Sequence, residues 1–111
     1  MVHSYLDEGR PLYTCARCHT HLSYQDSILS KSYHGSTGEA FLVCHVENIS
    51  VGASERKMLM TGIHTIADVF CSTCHTQLGW KYLRAFEPSQ KFKENKFVLE
   101  KRRILKETFY A

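Results

Sequence analysis

No apolar stretch in this chain approaches the roughly 20 residues that a membrane-spanning helix needs. Its opening residues, Met1 to Arg10, hold no apolar centre of the kind a secretory signal carries. Both absences point to a soluble, intracellular chain, in a setting where thiols stay reduced. A disulfide framework is disfavoured for the same reason, and the five cysteines are an odd number. Nucleophile motifs are lacking as well. His64 and Asp68 stand four apart, on one face of any strand, but no serine or cysteine in a recognisable catalytic pattern stands beside them. His64 can instead donate to Asp68 or to backbone. At 111 residues, 43% of them hydrophobic, the chain is one domain with a modest core.

What the chain does contain is one short pattern twice. Cys15-Ala16-Arg17-Cys18-His19-Thr20-His21-Leu22 and Cys71-Ser72-Thr73-Cys74-His75-Thr76-Gln77-Leu78 both read C-x-x-C-H-T-x-L. A two-residue gap lets a tight turn aim both sulfurs at one point. Four thiolates meeting there make a closed tetrahedral site for Zn²⁺, with Zn–S bonds of about 2.3 Å. A closed site is structural, because a catalytic zinc keeps a position open. Joining turns separated by 52 residues through metal constrains the unfolded chain strongly. His19 and His75 could each replace a thiolate, or hydrogen-bond the knuckle backbone or sulfur. C-x-x-C-H is also the attachment motif of c-type haem. Strand-like flanks and the lack of an export segment favour the zinc knuckle.

The formal charge is +3. Four thiolates around one Zn²⁺ carry −2, so the loaded protein would hold about +1. The charge is uneven: residues 1–80 balance at −2 and residues 81–111 at +5. Lys91, Lys93, Lys96, Lys101, Arg102 and Arg103 in that second part could contact nucleic acid, although no reading helix accompanies them.

Short strands separated by Gly-bearing turns predict a mainly β domain. Strands are expected at 12–14 and 21–24 around the first knuckle, at 39–46, at 57–61, and at 64–70 and 79–86 around the second. Residues 27–33 read as a strand edge or irregular segment, 34–38 as a loop, and 48–56 mainly as a turn region. Residues 88–95 read as a turn, and 96–105 as a strand that frays. Gly62 marks a strand end or a bulge. Trp80, Tyr82 and Arg84 fall on one face of their strand by alternation. Cys44, in the most apolar strand, reads as a small buried hydrophobe. Trp80, Tyr82, Phe86, Tyr33 and Phe41, with His64, are candidates for an aromatic surface that receives a protein segment or a small ligand.

These residues together resemble the Yippee-like proteins. The resemblance covers 13–105 and rests on the two C-x-x-C pairs and on Gly38-Glu39-Ala40-Phe41-Leu42. It extends through Leu59-Met60-Thr61-Gly62-Ile63-His64-Thr65-Ile66-Ala67-Asp68, Leu78-Gly79-Trp80-Lys81-Tyr82, Ser89-Gln90-Lys91-Phe92-Lys93-Glu94 and Lys96-Phe97-Val98-Leu99-Glu100. Asn95 stands where that family commonly has glycine, so a left-handed residue is expected there. The resemblance implies a β-tent, two antiparallel sheets meeting at an angle and pinned by one Cys₄ zinc on Cys15, Cys18, Cys71 and Cys74. Related folds are the thalidomide-binding domain of cereblon, whose aromatic cage makes Trp80 a pocket candidate, and B-type methionine sulfoxide reductases. Residues 1–12, with Gly9 and Pro11 punctuating their end, read as a flexible leader, ahead of the Yippee-type domain at 13–105 and a tail at 106–111. The resemblance implies a nuclear or cytoplasmic location. It also implies protein partners, in the division apparatus or in a ubiquitin-ligase assembly. The expected function is a non-catalytic binding or adaptor module. The alternatives are a reductase-like enzyme using Cys44 and nucleic-acid binding through the basic segment. The first is weakened because those reductases place their catalytic cysteine after the second C-x-x-C, and no cysteine follows Cys74 here.

Overall fold

In a computed structural model that describes residues 9–108, the chain forms nine antiparallel strands in two sheets. The strands are β1 (Leu12–Cys15), β2 (His21–Tyr24), β3 (Ile28–Gly35), β4 (Gly38–Val43), β5 (Ile49–Leu59), β6 (Gly62–Cys71), β7 (Gln77–Ala85), β8 (Phe97–Glu100) and β9 (Ile104–Glu107). The smaller sheet runs β2-β1-β9, and the larger runs β3-β4-β8-β7-β6-β5. Most of the expected leader lies outside the described residues.

Strands β4 and β8 are neighbouring inner strands of the larger sheet, buried on both faces over Ala40–Val43 and Phe97–Glu100. That is why they read as continuous apolar runs. Their alternation separates two cores. Phe41, Val43, Phe97 and Leu99 join Tyr13, Leu22, Leu78 and Ile104 in a cluster shared by both sheets. Ala40, Leu42 and Val98 turn the other way, towards Ile66, Tyr82, Tyr33, Leu59 and Trp80.

Three expectations are corrected. Residues 48–56 are not mainly a turn region: from Ile49 they run on into the strand expected at 57–61 as one 11-residue strand, β5, ending at Leu59. It is the edge of the larger sheet and pairs only with β6, so both its faces meet water and it carries no burial rhythm. The segment after Leu99 does not fray. A 3₁₀ turn (Lys101–Arg103) leads into β9, which pairs with β1 from Leu12↔Glu107 to Cys15↔Ile104. Cys44 lies beyond the end of β4, half-buried, its N–H donating to the Ser27 carbonyl at 2.9 Å.

Strand β7 departs from simple alternation twice. Leu78 is bulged out between the pairs Val69↔Gly79 and Phe70↔Gln77, and Leu83 between Ile66↔Tyr82 and Thr65↔Arg84. The first bulge sends Leu78 to the shared core while Trp80 faces the second one. The second puts Arg84 on the face opposite Tyr82, against the expectation that they share one. Asn95 is left-handed as expected, at φ 64°.

Candidate metal centre

Each C-x-x-C turn is the tip of a hairpin. The first joins β1 to β2 in the small sheet, and the second joins β6 to β7 in the large one. The repeat in sequence is a repeat in geometry. The N–H of Cys15 donates to Thr20 O and that of Cys71 to Thr76 O, both at 2.9 Å. The N–H groups of His19 and His75 donate back to Cys15 O and Cys71 O at 2.8 and 2.9 Å. Both histidines take left-handed backbone, φ 62° and 63°. Their part in the knuckle is this turn rather than ligation.

The four sulfurs converge. All lie within 4.8 Å of one another, and the pairs Cys15–Cys74 and Cys18–Cys71 stand 3.6 Å apart. A tetrahedron of Zn–S bonds near 2.3 Å has sulfur–sulfur edges of about 3.8 Å, so the donor set fits one Zn²⁺. The ligands come two from each sheet, so a bound ion staples the sheets together. Thr20 and Thr76 Oγ1 lie 3.1 and 3.2 Å from Cys18 and Cys74 Sγ, the Cys74 thiol donating to Thr76 when protonated and accepting from it when ionised. Thr20 also donates across the junction to Thr73 Oγ1 at 2.9 Å. Without metal the thiols ionise unequally. Burial pushes Cys15 up to about 12. Burial acts on Cys74 too, but the hydroxyl and N–H of Thr76 outweigh it and bring that thiol down to about 6.

The expected aromatic surface is divided. Trp80 meets Tyr82 edge-on at 6.3 Å, Tyr82 meets His64 at 5.3 Å, and Tyr33 belongs to the same cluster. Phe41 is on the other face of β4, 5.7 Å from Tyr13 in the shared core. Phe86 sits past the end of β7, between the guanidiniums of Arg56 and Arg84 at 4.8 and 4.5 Å. His64 does not bond Asp68. Its Nδ1 donates to Gly62 O at 2.9 Å, and its Nε2 is buried without a partner, as is Trp80 Nε1. Tyr82 itself is core, 3% exposed.

Beside this group lies a groove of about 250 Å³, lined by Trp80, Ile66, Leu59, Asp68, Lys57 and Glu100 among others. Glu100 is a feature that the sequence reading missed. It is 4% exposed, and its Oε1 accepts from Thr37 N–H, Thr37 Oγ1 and Ser36 Oγ at the β3–β4 turn. Alternation could have found it, because Glu100 shares a face with buried Val98.

Lys93 was also missed as a core residue. It is 5% exposed, with Nζ 5.5, 5.3 and 5.9 Å from the rings of Tyr33, Tyr82 and Phe92, and it donates to Thr61 Oγ1 at 3.1 Å. Burial holds its ammonium below the usual lysine value of 10.5. Between that lowered value and 10.5 the unfolded chain binds the proton more tightly than the folded one, so stability rises with pH across that window. We expect the unfolding free energy of wild type, relative to Lys93→Met, to improve from neutral pH towards pH ~10. Urea titrations with parallel pH profiles for the two proteins would refute this.

The basic segment is dispersed rather than continuous. Lys93 is buried, Lys91 pairs with Glu94 at 3.3 Å and Lys101 with Glu39 at 3.1 Å. Arg102 and Arg103 share a cleft with Arg17.

Comparison with known proteins agrees with this architecture. Residues 12–110 match a family model described as Yippee-Mis18, "Yippee zinc-binding/DNA-binding /Mis18, centromere assembly". A yippee-like protein of Arabidopsis thaliana is 52% identical over 99 residues, 89% of this chain and 93% of its own length. Protein yippee-like 3 of Danio rerio is 46% identical over 104 residues, 94% of this chain and 87% of its own. The crystal structure of the Mis18 "Yippee-like" domain superposes with a TM-score of 0.69 at 10% identity. That match covers 92% of this chain and 99% of that one, a likeness of fold.

Proposed function

This chain belongs to the Yippee-Mis18 family, and on that footing we propose that it is a non-catalytic, zinc-stabilised binding module that engages a segment of a partner protein. The metal organises the junction of the sheets, and the Trp80 groove on the larger sheet receives the partner. The observation that carries this reading is the closed sulfur tetrahedron together with a separate, partly open groove holding an indole and carboxylates. Nothing about the four thiols leaves a position for substrate. The partner belongs to a larger nuclear or cytoplasmic assembly, in keeping with the words "centromere assembly" in the family description.

Trp80 is half-buried at the groove and can be changed without emptying the core, unlike Tyr82. Trp80→Ala is expected to keep its zinc and its circular dichroism spectrum while losing a defined set of captured partners. Equal capture by wild type and a zinc-replete Trp80→Ala protein would remove the groove from this reading.

A further inference from the structure

A second cleft, of about 230 Å³, opens beside the metal knuckles. Its walls are Ala16 and Arg17 of the first knuckle, Thr76 of the second, and Arg102 and Arg103 of the turn before β9. The walls are tied together: Ala16 N–H donates to Arg103 O at 2.9 Å. Three arginines therefore border one small space.

Several other cations of this chain have anionic neighbours. Arg10 pairs with Asp26, Lys91 with Glu94 and Lys101 with Glu39, while Lys57 stands 3.9 Å from Glu55. Arg17, Arg102 and Arg103 have no ion-pair partner among the described residues. The Nε of Arg103 is also shut off from water with no acceptor. A buried donor left that way is unfavourable, and an anion that draws the guanidinium into the cleft would satisfy it.

We propose that this cleft receives the phosphate of a phosphorylated serine or threonine on a partner protein. Guanidinium groups match phosphate oxygens in a two-pronged, charge-assisted geometry that ammonium groups lack. At about 230 Å³ the cleft is large enough to take a phosphate group. A track for a nucleic-acid backbone would need a run of free cations and aromatic platforms. Here the neighbouring Lys101 is ion-paired and no aromatic residue lines the cleft.

A rival role for the arginines is to offset the −2 of the zinc–tetrathiolate centre, and the test separates the two. The zinc-loaded full chain, ¹⁵N-labelled, is titrated with capped phosphoserine, capped serine and a short DNA duplex, and zinc content is measured for Arg17→Gln, Arg102→Gln and Arg103→Gln. We expect saturable shifts of the Ala16, Thr76 and Arg103 amides with phosphoserine and none with serine. Affinity should fall about tenfold in variants that keep their zinc. The exposed Arg102 supplies the same readout if a knuckle variant loses its fold. Absence of saturation overturns the proposal. So does salt-sensitive binding of the duplex without phosphoserine binding, which would make the cleft a nucleic-acid contact. Loss of zinc with unchanged phosphoserine affinity also overturns it, leaving the arginines as counter-charge.

Discussion

A Cys71→Ser protein is expected to hold no stoichiometric zinc and to be unfolded at room temperature, while Cys44→Ser keeps both metal and fold. Cys71 is fully buried, ends β6 and stands 3.6 Å from Cys18 Sγ across the junction of the sheets. A structural zinc site contributes on the order of 10 kcal/mol of apparent binding free energy. A domain of this size is stable by only about 5–15 kcal/mol in total. Losing one ligand therefore removes most of the margin, and the oxygen of serine is a poor substitute for thiolate at Zn²⁺. Chelation should act in the same way, denaturing the protein rather than leaving a folded metal-free form. Zinc analysis by mass spectrometry alongside far-ultraviolet circular dichroism checks both. A folded Cys71→Ser protein with full zinc would mean that the four sulfurs are not the ligand set.

Gly79→Ala should cost about 3 kcal/mol or more and lower Tm by more than roughly 10 °C. Residue 79 pairs with both Val69 on β6 and Leu99 on β8, at the point where β7 leaves its first bulge. A Cβ there would stand 1.8 Å from Val98 O and 2.8 Å from its carbonyl carbon. Those are backbone atoms of a central strand, so nothing can swing aside. The sheet must shift or the pairing must open. Gly52→Ala on the edge strand is the control. Its Cβ would meet Phe70 Cε2 at 3.3 Å, a ring that can yield slightly, and a change under about 1 kcal/mol is expected. If the two variants melted together, the close approach of β7 to β8 would not be a constraint on this fold.

The ligand set was legible because it is local: two cysteines two residues apart, followed by the same His-Thr, specify the same turn twice. The central strands were legible because burial on both faces leaves unbroken apolar runs at Ala40–Val43 and Phe97–Leu99. The left-handed Asn95 followed from the family resemblance, asparagine being able to take the backbone for which that family commonly has glycine. By contrast, β5 carries no burial pattern, and only its pairing with β6 makes it a strand. The two bulges in β7 reassign Leu78 and Arg84 to faces that strict alternation denies them, because register depends on the neighbouring strand and not on β7 alone. Which charges are buried was decided in three dimensions as well. Lys93 and Glu100 look like surface residues in sequence, yet one ends among aromatic rings and the other under a hairpin turn. The arginine cleft joins residues 17, 102 and 103, which come together because β9 pairs with β1 and carries the end of the chain back to the first knuckle. Sequence alone thus set the metal centre and the buried strands, through short-range spacing and period. Tertiary structure decided the faces, the grooves and the buried charges, because each of these depends on contacts between residues far apart in the chain.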